Sequence, residues 1–170
     1  MRIVTFTKEY ERMLENGKKP VLIRIFRNAV YINMFTSFTE TTETMTLELL
    51  KGKIHRARLT ACDLNYEGSL AIDPDYLDLA NILPYERILV VNATNGNRLE
   101  TYAIPGERGS GVFCLNGAAA HLGRIGDVVT IMCFGYYTPE EAATHEPKII
   151  VLGEHNEVLV QRLGKKVIER

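Results

Sequence analysis

The sequence predicts a mainly β protein built as a small barrel with short helices. Three observations carry that expectation. Short runs of β-branched and apolar residues recur from Met45 onward, each bounded by turn residues. Over the same stretch, strong helix-start signals appear only before Pro74 and Pro139. No alternation of strand and helix patterns and no internal repeat is evident, so a barrel is favoured over an open parallel sheet or a sandwich.

Bulk properties bound what the chain can be. Its 170 residues, 46% hydrophobic and 24% charged, suit one domain with a genuine core and are tight for two. A formal net charge of -1 supplies no field to gather nucleic acid or an acidic membrane surface. No run approaches the about 18 apolar residues that span a bilayer, and the N-terminus lacks the basic, apolar and small-residue order of a secretory signal. A cytoplasmic protein is expected. Cys62, Cys114 and Cys133 are odd in number and lack metal-ligand spacing, which argues against a zinc site or a disulfide framework. They read as small packing residues in a reducing compartment.

Residues 1–44 differ in texture from the rest. They hold a helix-like "KEYERMLENG", a strand-like "PVLIRIF" and a Thr/Glu-rich tail. They are expected to be an N-terminal extension of uncertain status, with Met45 as an alternative start and the main domain at 45–170.

Along that domain, "MTLELLKGKIHRARLTAC" reads as strands around a turn, broken by Gly52. "DPDYLDLANI" reads as a short helix, with Asp73 able to accept from the orphan amides of the first turn and Pro74 preset for the first helical position. In "RILVVNATNGNRLETYAI" two strands flank Asn95-Gly96, a pair that tolerates the positive φ values of a tight hairpin turn. "GVFCLNGAAAHLGRIGDVVTIMCFGYY" continues as strand, small-residue turn or short helix, and a longer buried strand from near Val128. Thr138, Pro139 and Glu141 form a capping box. "KIIVLGEHNEVLV" gives a further strand pair, and the basic tail "GKKVIER" is expected to be solvated.

Several residues could carry chemistry. The Gly68-Ser69 step places a hydroxyl beside the carbonyl of a residue with no Cβ, an arrangement that permits attack on the preceding peptide and equally describes a plain turn. Strand alternation puts Arg98 and Tyr102 on one side with Glu100, and Thr101 on the other. An arginine beside a tyrosine can be a carboxylate fork beside a proton donor, or surface stacking. The small residues of "LNGAAAHLG" let backbone approach a ligand or strand closely. Within that run, Asn116 is expected to cap the following turn and His121 to be partly buried and hydrogen-bonded. Lys53 and His55 share a strand face.

Taken together, "GKIHRARLTACDLNYEGS", "AIDPDYLD", "NATNGNRLETYAIPGERGSG" and "NGAAAHLGRIGDVVTI" resemble, in order and spacing, the pyruvoyl-dependent aspartate 1-decarboxylases. The likeness runs from Met45 to about Glu157 and leaves out residues 1–44. It implies a double-psi β-barrel made as an inactive precursor that cuts itself between Gly68 and Ser69. In that family the serine oxygen attacks the glycine carbonyl, and the ester eliminates to dehydroalanine and hydrolyses to a pyruvoyl group. That carbonyl condenses with the substrate amine, and the resulting imine accepts the electron pair left by CO₂, the electron-sink role that pyridoxal phosphate plays elsewhere. The implied cofactor is therefore a pyruvoyl group derived from Ser69, with no pyridoxal phosphate and no metal.

The resemblance further matches Tyr102 to the proton donor and Lys53 and Arg98 to cationic groups that hold carboxylate, a task suited to arginine's planar fork. Thr101 matches a residue serving both cleavage and substrate contact, and Gly117, Ala118 and Ala119 match the loop lining the substrate. His55, Tyr66 and Asn116 match supporting positions. Leu70 after the serine and the upstream segment are departures, while the motif residues are intact. Implied partners are L-aspartate, a homotetramer of processed chains with sites between subunits, and a maturation factor as a candidate. The implied product is β-alanine, for pantothenate and coenzyme A synthesis. Rival readings are an uncleaved barrel acting as a binding or regulatory module, and a decarboxylase of another acidic amino acid such as glutamate.

Overall fold

The computed structural model describes residues 23–26, 29–32 and 45–168, and the chain divides into two compact units, Met1–Glu43 and Thr44–Arg170. In the first, β1 (Ile23–Phe26) pairs antiparallel with β2 (Ala29–Ile32). β1 falls within the expected strand, whereas the helix-like residues 8–17 and the Thr/Glu-rich tail lie outside the described residues.

The second unit is one ten-stranded sheet. Its strands are β3 (Leu47–Arg58), β4 (Ala61–Asp63), β5 (Ser69–Ile72), β6 (Arg87–Asn92), β7 (Arg98–Pro105), β8 (Phe113–Asn116), β9 (Val128–Tyr137), β10 (Lys148–Leu152), β11 (Val158–Leu163) and β12 (Lys166–Ile168). The order across the sheet is β12-β11-β10-β3-β9-β6-β7-β5-β8-β4. Three pairings are parallel, β3 with β10, β4 with β8 and β5 with β7.

Chain connectivity makes this sheet curl. Leu59 and Thr60 alone join β3 to β4, yet the two strands stand six places apart in the sheet. Laid flat, six spacings of ~4.8 Å would separate them by ~29 Å, while three trans peptide steps reach ~11 Å. The wall must therefore come round on itself. Backbone bonds from Leu59 N to Asp127 O (2.9 Å) and Thr60 N to Phe113 O (2.9 Å) tie the junction to residues beside β9 and on β8. The unit is a mainly β double-psi barrel with short helices, and its strand ladder stays open between β4 and β12 among the described residues. Alternate residues fill the interior: Ile54, Leu70, Ile72, Ile88, Val90, Phe113, Val129 and Ile131 are all buried.

The two expected helices form, α1 (Pro74–Ala80) behind Asp73 and α2 (Pro139–Thr144) behind the Thr138 capping box. Four details depart from expectation. Gly52 does not break β3; a Cβ there would stand 2.1 Å from the Ala80 carbonyl oxygen, so glycine lets the end of α1 lie against the strand. The β6–β7 hairpin is wider than a two-residue turn, because the Asn92 side chain accepts from Thr94 N and Asn95 N and only Gly96 of the Asn-Gly pair has positive φ. β9 starts at Val128 as expected, but it is buried only at Val129, Ile131 and Cys133 and partly or fully exposed at its other positions. Residues 165–168 of the basic tail are exposed, but Lys166–Ile168 forms a strand on β11.

Asp73 anchors the ground beside the Gly68-Ser69 step. Its carboxylate is 2% exposed and accepts from Asp75 N, Gly109 N and Gly111 N, so it caps α1 and pins the loop between β7 and β8. Burial alone would raise its pKa, but those three N–H groups and the Arg108 charge hold it below the ordinary value of 3.8. A depressed folded pKa contributes stability above the unfolded value and loses it as pH falls below it. Asp73→Asn would set an amide NH₂ against one of the three N–H donors. It is expected to cost about 2 kcal/mol at pH 7, with the gap to wild type narrowing at pH 3 in urea titrations.

Candidate active site

Ser69 opens β5 and is 1% exposed, whereas Gly68 just before it is exposed at a bend. The strand sits between β7 and β8, pairing Leu70 with Ala103 and Ser69 with Asn116. The serine hydroxyl accepts from Asn116 Nδ2 at 3.2 Å. A buried serine on a strand with its Oγ held by an amide is no plain turn. Asn116 also does not cap the 3₁₀ segment Gly117–Leu122 with its side chain, as expected from its position, because the amide is engaged across the sheet instead.

Glycine is demanded at 117 more than at 68. Gly117 has φ +59, and a Cβ on it would stand 2.9 Å from both Gly68 Cα and the Tyr66 carbonyl oxygen. The 117–119 turn is thus pressed onto the segment that carries the step, with Gly117 and Ala119 buried and Ala118 exposed. Gly68 itself is open, its nearest neighbour to an added Cβ being Asn116 O at 4.0 Å. Tyr66 is 55% exposed and meets the turn through its backbone.

β7 presents its candidates in the expected alternation. Arg98, Glu100 and Tyr102 are exposed on one face, and Thr101 points to the other, opposite buried Ile88. Tyr102 is the residue before Ala103, as Ser69 is before Leu70, so the parallel β5–β7 ladder brings tyrosine and serine alongside. Glu100 is taken by Arg87, which leaves Arg98 with no ion pair among the described residues.

Lys53 and His55 lie on the same outer face but farther round. The ladders align Lys53, Met132, Leu89 and Glu100 in one row across β3, β9, β6 and β7. The next row ends at Arg98 and begins with His55, whose Nδ1 lies 3.1 Å from Thr130 Oγ1. Burial, then the charges of Lys53, Arg56 and Arg162, hold the His55 imidazole below its ordinary value. Within one chain, β9, β6 and β7 stand between Lys53 and Ser69. The structure therefore brings Ser69, Gly68, Asn116, Gly117, the backbone of Tyr66 and the β7 position of Tyr102 together, with Thr101 turned to the other face of β7 and Lys53 and His55 farther away.

Two residues of this region escape a reading of the sequence. Arg162 pairs with Ile149, which pairs with Lys53, so it adds a cation to the Lys53 row, and its Nε is buried with no partner among the described residues. Cys114 directs its thiol at Asn116 Oδ1, 3.2 Å away. An i, i+2 spacing in β8 was the only available sign of the second, and nothing marked the first. His121, expected to be partly buried, is exposed. No group of acidic, histidine and cysteine side chains able to hold a metal ion is found among the described residues.

Comparison with known proteins points one way. Residues 45–159 match the family model described as Aspartate decarboxylase. An aspartate 1-decarboxylase of Listeria monocytogenes is 56% identical over 110 residues, 65% of this chain and 87% of that protein. One from Bacillus licheniformis shows the same identity and coverage. One from Clostridium acetobutylicum is 52% identical over 114 residues, 67% of this chain and 90% of that protein.

Proposed function

The chain belongs to the aspartate decarboxylase family, and we propose that it converts L-aspartate to β-alanine and CO₂ with a pyruvoyl group made from its own Ser69. The reaction is a decarboxylation that feeds pantothenate synthesis. One observation carries the assignment of the cofactor position. A buried serine hydroxyl, held by an amide N–H, follows an exposed glycine at the point where the family's cleavage step falls.

In the first step, Ser69 Oγ bonds to the Gly68 carbonyl carbon, the peptide C–N bond breaks, and the freed amine takes up a proton in place of the one the hydroxyl gives up, leaving an ester. The chain parts when residue 69 loses its Cα proton and the ester Cβ–Oγ bond breaks, so that Oγ stays on the Gly68 carboxylate; water then replaces the nitrogen of residue 69, which leaves as ammonia, with the ketone oxygen. Thr101 is assigned to this cut on its match to the family's residue for that step. The surroundings suit a shielded pyruvoyl group at 69: the place is buried, and the Gly117 turn packs against residue 68. The pyruvoyl group supplies an electrophilic carbonyl that takes up the electron pair released with CO₂.

The remaining residues bind and move protons. Lys53 and Arg98, neither ion-paired among the described residues, hold substrate carboxylate, and arginine's fork favours an acidic amino acid. Tyr102 gives a proton to the carbon that CO₂ leaves. Gly117, Ala118 and Ala119 line the substrate, while His55 and Tyr66 support it.

Because three strands separate Lys53 from Ser69 within a chain, a neighbouring copy supplies the lysine in a homotetramer. Exposed Leu47, Phe134 and Tyr136 on β3 and β9 favour such assembly. No helix among the described residues is long and apolar enough to cross a membrane. The cytoplasm is the compartment we propose for the reaction. A maturation factor, as a candidate further partner, would speed a cut that the purified chain also makes by itself.

Intact-mass spectrometry of the purified protein tests this reading together with assays of β-alanine from aspartate and 4-aminobutyrate from glutamate. Two chains meeting at Gly68 and Ser69, a pyruvoyl terminus and β-alanine as the dominant product are expected. The masses also report whether residues 1–44 remain on the smaller chain. A persistent single chain, or preferred turnover of glutamate, overturns the corresponding part.

A further inference from the structure

The two ends of an asparagine amide act oppositely on a serine hydroxyl. With Nδ2 facing Oγ, the amide donates and the serine keeps its own proton free for removal. With Oδ1 facing Oγ, the serine donates that proton to a weakly basic carbonyl, which holds it in place. In this protein Nδ2 faces Ser69 Oγ at 3.2 Å, and Oδ1 accepts from the Cys114 thiol at 3.2 Å.

The sheet builds this chain of contacts. Cys114 and Asn116 are two apart on β8 and share a face. Across the ladder Asn116 pairs with Ser69, and Cys114 pairs with Ala71. Thiol, amide and hydroxyl therefore run along one side of the β5–β8 pair. Among the described residues, Cys114 is the only donor to Asn116 Oδ1 and Ser69 the only acceptor for Nδ2. Burial pushes the Cys114 thiol up, and Cys62 and Asp63 add to the shift, so at neutral pH it keeps the S–H it donates.

We propose that Cys114 is a positioning residue for chain scission: its thiol holds the Asn116 amide with Nδ2 on Ser69 Oγ, so the serine proton stays available for removal. The proposal rests on the reading that Ser69 attacks Gly68. It concerns the donor on position 114 rather than the sulfur as such. A hydroxyl should substitute for the thiol, and an apolar side chain of similar size should not.

The test follows scission of freshly purified full-length chains by denaturing gel, with melting temperatures measured in parallel. Cys114→Val, which keeps volume without a donor, is expected to lengthen the half-time of scission about tenfold. Cys114→Ser, which restores a donor, is expected to stay within about twofold of wild type. A valine variant that cuts as fast as wild type, or a serine variant as slow as valine, overturns the proposal. If the valine variant melts well below wild type, Cys114→Ala against Cys114→Ser makes the same comparison with the same two outcomes. A wild-type chain that never cuts overturns the Gly68–Ser69 reading itself. A wild-type chain that cuts with no difference among the variants overturns only the role given to Cys114.

Discussion

Ser69→Ala is expected to remain one uncut chain without decarboxylase activity. The substitution removes the single oxygen that the proposed cut uses as its nucleophile. Loss should be complete rather than partial, because without Oγ the cut has no nucleophile, and without the cut no pyruvoyl group forms. The fold should survive. Ser69 is buried but its Oγ makes one hydrogen bond, to Asn116 Nδ2, so its removal is expected to cost about 1 kcal/mol. A gel showing one full-length band, an unchanged circular dichroism spectrum and no β-alanine would fulfil the expectation. Cleavage between residues 68 and 69 in this variant would remove the acyl-shift mechanism.

Tyr102→Phe is expected to mature normally and then turn over about 10²-fold more slowly, a barrier increase of about 2.7 kcal/mol. The division between the two steps follows from position. Tyr102 lies on β7 one place before Ala103, while Ser69 lies on β5 one place before Leu70, so the ring flanks the step without holding Ser69 Oγ, which Asn116 engages. The ring is 38% exposed on the outer face, where its hydroxyl can meet a substrate, and phenylalanine keeps the ring while deleting the proton. Complete cleavage by mass, an unchanged KM and a depressed kcat would fit. Normal kcat would assign the proton to another group.

Much of the local structure was legible because its causes are local. The Asp73–Pro74 start of α1 and the Thr138–Glu141 capping box are set by side chains that satisfy amides a few residues away. The alternation of Arg98, Thr101 and Tyr102 follows from the pleat of one strand. Gly52 was misread because the carbonyl that demands glycine there belongs to Ala80, on a helix the strand pattern does not reveal. Asn116 was misread for a similar reason: its position at a turn suggested a cap, while its actual partner is Ser69, brought beside it by pairing of β5 with β8. The Asn-Gly hairpin was recognised, but the width of its loop depends on the Asn92 side chain folding back on the turn.

The family, the mainly β architecture, the proposed scissile step and the types of residue around it follow from the sequence alone, since ordered motifs and strand periodicity are properties of the chain itself. Tertiary structure decided which of those residues meet. Pairing of β5 between β7 and β8 buries Ser69 between strands distant in sequence, turns the Asn116 amide onto its hydroxyl and sets Cys114 behind that amide. It also leaves Lys53 across three strands from Ser69. Hydrogen bonds and charges act over a few ångströms, and only the pairing of strands converts separations along the chain into distances of that size.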